Sequence, residues 1–120
     1  VSFIITNFPY FDTKFRFYCI IIEKSKEVFR MKVAMTVSGK VQGVGFSYMT
    51  KMVADDLGVF GIVKNEDNGD VYIEAIGEEK QVNTFIEAVK KSPAPFGKVQ
   101  CVTFHDSESI KDYTNFSVTY

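Results

Sequence analysis

Nine consecutive residues hold most of the chemistry this sequence offers. Gly39-Lys40-Val41-Gln42-Gly43-Val44-Gly45-Phe46-Ser47 places three glycines within seven residues. Glycines let a backbone turn so that several N–H groups converge on one point. A helix beginning at that point adds the positive end of its dipole. Together they suit an anion carrying about two negative charges, such as a phosphate group. The same glycines would also serve a tight strand-to-helix turn with no ligand, and taken alone they leave both readings open. The run is not a P-loop, because no Gly-Lys-Ser/Thr follows.

Asn65 is the second candidate. A carboxamide has both a donor and an acceptor and can hold a water in place. Asparagine at a strand end is also ordinary turn chemistry, and Asn68-Gly69 follows close behind. Ser47 would be a nucleophile only with a base beside it. His105 is the sole histidine and sits on a distant strand pattern, where it reads as an ordinary strand residue. Soft-metal chemistry finds no ligands: there is one histidine and no Cys-x-x-Cys. Cys19 and Cys101 do not make a disulfide scaffold, so the expectation is a reducing cytoplasm, with no metal and no cofactor.

The elements that must carry these residues follow from periodicity. Val33, Met35, Val37, Gly39 and Val41 alternate with polar or small residues, which predicts a strand. Phe46, Met49, Val53 and Leu57 fall on one face of a helix, which Gly58 stops. Phe60 to Lys64 reads as a second strand, Asn65 to Gly69 as a turn, and Val71 to Ile76 as a third strand ended by Gly77. Val82, Phe85, Ile86 and Val89 mark a second helix, with Lys90 and Lys91 at its C-terminus, where the dipole favours cations. Ser92-Pro93-Ala94-Pro95 breaks the chain. Lys98 to His105 reads as a fourth strand, Asp106 to Asn115 as a polar loop, and Phe116 to Tyr120 as a short last strand. The order predicts a ferredoxin-like α+β sandwich of βαββαβ plan: an antiparallel sheet with two helices on one face.

At 120 residues the chain is one domain with room for an appendage. Its 46% hydrophobic and 24% charged residues are those of an ordinary globule, and a net charge of −1 excludes a polycation seeking nucleic acid. Residues 1–30 differ from the rest. They hold eight of the eighteen aromatics and a net charge of +2, against −3 for residues 31–120. Phe17-Tyr18-Cys19-Ile20-Ile21-Ile22 is too short for a signal peptide core, and nothing approaches the roughly 20 apolar residues of a membrane span. A surface-bound amphipathic segment lacks a clean period. The preferred reading makes residues 1–30 an extension and residues 31–120, beginning at Met31, the working domain.

Gly39 to Phe46, taken with Leu57-Gly58-Val59-Phe60-Gly61-Ile62-Val63-Lys64-Asn65 and Asn68-Gly69-Asp70-Val71, resembles the acylphosphatase family. Tyr113-Thr114-Asn115-Phe116-Ser117-Val118 is similar to that family's C-terminus. The resemblance covers residues 31–120 and leaves 1–30 outside. It implies a small cytoplasmic enzyme that hydrolyses acyl phosphates to carboxylate and inorganic phosphate, without a metal or a covalent intermediate; a monomer is a separate expectation. It assigns the phosphate cradle to Gln42, Gly43, Val44, Gly45 and Phe46, and the water-orienting role to Asn65. It expects an arginine directly after the loop phenylalanine, and Ser47 stands there. Arginine is a planar, always-charged, bidentate clamp, whereas serine offers one neutral hydroxyl. The expectation is strongly impaired hydrolysis; the alternative is an inactive domain that binds phosphate, another anion or a partner. Lys51, one helical turn on, and Lys40 are candidate substitute cations, and Ser47 is also a candidate helix cap.

Overall fold

The computed structural model describes residues 30–120, so the expected extension, but for Arg30, lies outside the described residues. Five strands and two helices follow in order: β1 (Arg30–Lys40), α1 (Phe46–Leu57), β2 (Phe60–Asn65), β3 (Val71–Glu78), α2 (Glu79–Lys91), β4 (Lys98–His105) and β5 (Phe116–Thr119). They form one sheet in the order β4-β1-β3-β2-β5. The first four strands pair antiparallel, as the βαββαβ plan requires. β5 adds a parallel edge beside β2.

The period-two residues of β1 divide cleanly between the two faces of the sheet. Met31, Val33, Met35 and Val37 are buried in one cluster with Val63, Val71, Ile73 and Ala75. α1 and α2 close that face by bringing Phe46, Ala54, Val82, Phe85, Ile86 and Val89 into the same cluster. Phe85 meets Phe116 edge to face at 5.7 Å, which ties α2 to β5. Each such side chain contributes about 1.5–3 kcal/mol on burial, so this single core dominates the stability.

Three local departures have simple causes. Gly77 does not end β3, which runs on to Glu78, because β1 reaches back to Arg30 and supplies partners for Gly77 and Glu78. The deepest line on α1 is Phe46, Thr50 and Ala54; Met49, Val53 and Leu57 flank it, partly buried against the core. The β2–β3 turn lies one residue further on than Asn65 to Gly69, because β2 keeps Asn65 paired with Val71 and leaves Glu66 to Asp70 as the loop. The Glu66 N–H donates to the Asp70 carbonyl, and the Asn68 carboxamide oxygen accepts from the Asp70 N–H at 3.0 Å.

The segment from Asp106 to Asn115 has no helix or strand, yet it covers part of the sheet's second face, over β1, β2 and β3. Ile110 is buried with Ala34 and Ile76, and Phe60, Tyr72 and Tyr113 pack around them. Lys32 donates to the Ile110 carbonyl at 3.1 Å and pairs with Asp112 at 3.0 Å. The hydrogen bond from Lys32 to Asp112, with the Lys32 charge, holds that carboxyl below the usual range. The Glu74 carboxylate accepts from the hydroxyls of Tyr72 and Tyr113. Partial burial, with that hydrogen bond, pushes the Tyr113 phenol up to about 12.

Candidate active site

The loop between β1 and α1 is shaped by a bulge and two left-handed glycines. The β1–β4 register shifts between Ser38 and Gly39, where a Cβ would overlap the Lys98 carbonyl. Gly43 and Gly45 then adopt φ of 75° and 78°. A Cβ on either would meet no atom within 4 Å, so glycine is required here by backbone dihedral and not by crowding. Buried Val41 and Phe46 pin the ends of the loop, and Gly43 and Gly45 are exposed between them. Gly45 is the N-cap of α1, with its carbonyl accepting from the Met49 N–H at 3.0 Å. The N–H groups from Gly43 through Tyr48 donate to no acceptor among the described residues. Alternating left-handed residues leading into a helix N-terminus are the backbone form that binds oxyanions.

Sheet register carries Asn65 to this loop. Val71 of β3 pairs with Val37 on one side and with Asn65 on the other. The C-terminal ends of β1 and β2 therefore lie at the same end of the sheet. Gln42 joins them further: its side-chain Nε2 donates to the carbonyls of Glu66 and Asp70, both at 2.8 Å. Its side chain is a strut to the β2–β3 loop, and only its backbone remains for an anion. Ser47 follows Phe46 in the first turn of α1, and its hydroxyl donates to Asn65 Oδ1 at 2.9 Å.

The other candidates fall elsewhere. Ser47 does not cap α1; the cap is Gly45 and no side chain serves it, because Ser47 is already inside the helix and its hydroxyl faces β2. The Lys51 ammonium is held by Asp55 at 2.6 Å. Lys40 pairs with Lys98 across β1 and β4, beside the loop. His105 sits against Thr36 Oγ1 at 2.7 Å, an interaction with β1 and not with Ser47. Cys101 is an exposed free thiol on β4. Among the described residues, no group of three or more His, Cys, Asp and Glu is arranged to hold a metal ion, and no helix is long and apolar enough to cross a membrane.

A sequence model of acylphosphatases matches residues 33–118. The chain belongs to the acylphosphatase family. An acylphosphatase of Enterococcus faecalis is 51% identical to it over 87 residues, covering 72% of this chain and 96% of the relative. An acylphosphatase of Lactiplantibacillus plantarum is 46% identical over 87 residues, with the same shares covered. The crystal structure of acylphosphatase from Bacillus subtilis superposes with a TM-score of 0.69 at 42% identity, covering 74% of this chain and 98% of that one. Acylphosphatases at this identity support an acyl phosphate, a small molecule, as the type of substrate.

Two features of this acylphosphatase domain escaped sequence reasoning. The Gln42 strut spans 24 residues to Glu66 and 28 to Asp70, and a glutamine in a loop carries no local sign of its partner. The Ser47–Asn65 bond spans 18 residues and joins positions read separately, one as a missing clamp and one as a water holder. The packing of α1 on β2 brings them together.

Proposed function

We propose that this chain binds the phosphate of an acyl phosphate in the loop of Gln42, Gly43, Val44, Gly45 and Phe46 and hydrolyses the carboxyl–phosphate bond slowly. The observation that carries this reading is the N–H array of the loop and the first turn of α1, with Asn65 brought beside it by the sheet. Backbone donors and a helix dipole balance phosphate charge before the reaction and need no reorganisation during it. A water attacks phosphorus, the bond from phosphorus to the acyl oxygen breaks, and carboxylate leaves with that electron pair. The water's protons pass to orthophosphate and solvent.

The rate is limited by Ser47. Family resemblance puts an arginine at this position, and phosphoryl transfer depends chiefly on positioning and charge stabilisation. The Ser47 hydroxyl is neutral and engaged with Asn65, so it replaces neither the charge nor the bidentate grip. Lys51 is paired with Asp55 and lacks the fork geometry. Losing one preorganised donor costs on the order of 10²–10³ in rate.

Benzoyl phosphate hydrolysis by this sequence beside Ser47→Arg is the direct test. The expected result is slow turnover by the first and a gain on the order of 10²–10³ for the second. Equal turnover by both would remove the clamp argument. A second reading is supported by the same cradle: an anion-binding domain without turnover, which would bind orthophosphate yet stay inactive towards benzoyl phosphate.

A further inference from the structure

Ser47 and Asn65 form a pair whose geometry says more than a missing arginine. Ser47 lies in the first turn of α1 and Asn65 at the last position of β2, two elements that pack directly on each other. An asparagine carboxamide turns broadly about its last torsion and, unheld, presents either its oxygen or its nitrogen. Here Oδ1 accepts the Ser47 hydroxyl at 2.9 Å. Nδ2 donates to no acceptor among the described residues. The bond holds the carboxamide in the orientation found here and leaves the two Nδ2 protons as the donors on offer.

We propose that Ser47 is a positioning residue for Asn65, its hydroxyl fixing the carboxamide so that Nδ2 is presented to the attacking water. This deepens the hydrolase reading above and rests on it. The chemistry is consistent with an attacking water. A water that accepts from Nδ2 uses one lone pair for that bond and keeps the other for phosphorus. A carboxamide turned the other way would offer that water Oδ1 in place of a donor and hold it through a proton. Alanine at position 47 cannot hold Oδ1, whereas threonine keeps the hydroxyl at the same point on the chain. Because the pair is exposed, water competes for both groups, and the effect is modest.

The test uses the full chain with Ser47→Ala, Ser47→Thr, Asn65→Ala and the double variant Ser47→Ala/Asn65→Ala. Two readouts are needed. The first is the NMR order parameter of the Asn65 side-chain NH2. The second is benzoyl phosphate turnover together with inhibition by orthophosphate. Ser47→Ala should drop the order parameter into the flexible range, below about 0.6. It should lower kcat by about three- to tenfold, the worth of one ordinary hydrogen bond, and leave orthophosphate inhibition nearly unchanged. Ser47→Thr should restore both, and the kcat effect should vanish where Asn65 is already alanine. An equally ordered carboxamide in Ser47→Ala, or the same kcat loss without Asn65, would overturn the pairing. Its failure is separable from failure of the hydrolase reading. If Ser47→Arg hydrolyses benzoyl phosphate while Asn65 order ignores Ser47, only the pairing falls. If no variant hydrolyses benzoyl phosphate, including Ser47→Arg, the hydrolase reading falls and the role towards water falls with it.

Discussion

At the scale of single residues, Gln42, Ser47 and Asn65 divide their work by which atoms are already spoken for. Gln42 spends Nε2 on two carbonyls of the β2–β3 loop and so fixes the distance between the cradle and Asn65. Asn65 sits at the edge of the cradle with an unengaged nitrogen. If it orients water, its loss should affect the chemical step more than phosphate binding. In the Ser47→Arg background, Asn65→Ala is expected to lower kcat on the order of 10²-fold, the scale of a misplaced reactant. Orthophosphate inhibition should shift far less. Steady-state kinetics with orthophosphate as inhibitor reads both numbers. Equal losses would make Asn65 a binding or structural residue. The types of these residues were visible in the sequence, as was the candidate role of Asn65. Their mutual contacts were not, because each spans at least 18 residues and depends on strand register.

At the scale of elements, α1 has two tasks that pull against each other. In the proposed function its N-terminus stays exposed for an anion, while its inner face buries Phe46, Thr50 and Ala54. Thr50 is the weak point. It is fully buried, and its hydroxyl has no partner among the described residues. A buried hydroxyl without a partner costs about 1–3 kcal/mol. Thr50→Val keeps the shape, removes that hydroxyl and has a similar helix propensity. The expected result is a gain of about 1 kcal/mol, read as a Tm about 4–8 °C higher for a domain of this size. A lower Tm would mean that the hydroxyl bonds to something. The apolar period located α1 correctly because the helix buries a stripe whatever its polar members do. It could not rank the stripe, since Thr50 carries no apolar mark and yet lies deeper than Met49 or Val53.

At the scale of the whole molecule, helices cover one face of the sheet and the Asp106–Asn115 segment covers part of the other. Tyr113 links that segment to Glu74 of β3, and its phenol is pushed up to about 12. A tyrosine whose folded pKa lies above its unfolded value near 10 binds its proton more tightly when folded. Its contribution is fully present below about pH 10 and is lost as pH rises towards 12. Urea midpoints should therefore fall from pH 10 upward. Tyr113→Phe should reduce that fall while lowering stability near neutral pH; Tyr72, raised by burial and by the same Glu74 carboxylate, should retain the rest. An unchanged alkaline slope in Tyr113→Phe would show that the tyrosine does not anchor the segment. The sequence marked this stretch as a polar loop because its one buried residue, Ile110, has no periodic partners.

Local physics was enough for the elements and for the shape of the glycine loop. Strand and helix periods, glycines at φ-positive positions and lysines at a helix C-terminus all act within a few residues, so they can be read along the chain. The resemblance to acylphosphatases was legible for the same reason, since its motifs are short and contiguous. Tertiary structure alone decided which of those parts meet. It placed Asn65 in the same row as Val37 through Val71, gave Gln42 its two carbonyls, and turned the Ser47 hydroxyl to Asn65 in place of a helix cap. Those outcomes depend on the register of strands far apart in sequence. A one-residue slip in a strand turns every side chain to the other face, so the contacts exist only once the whole sheet has formed.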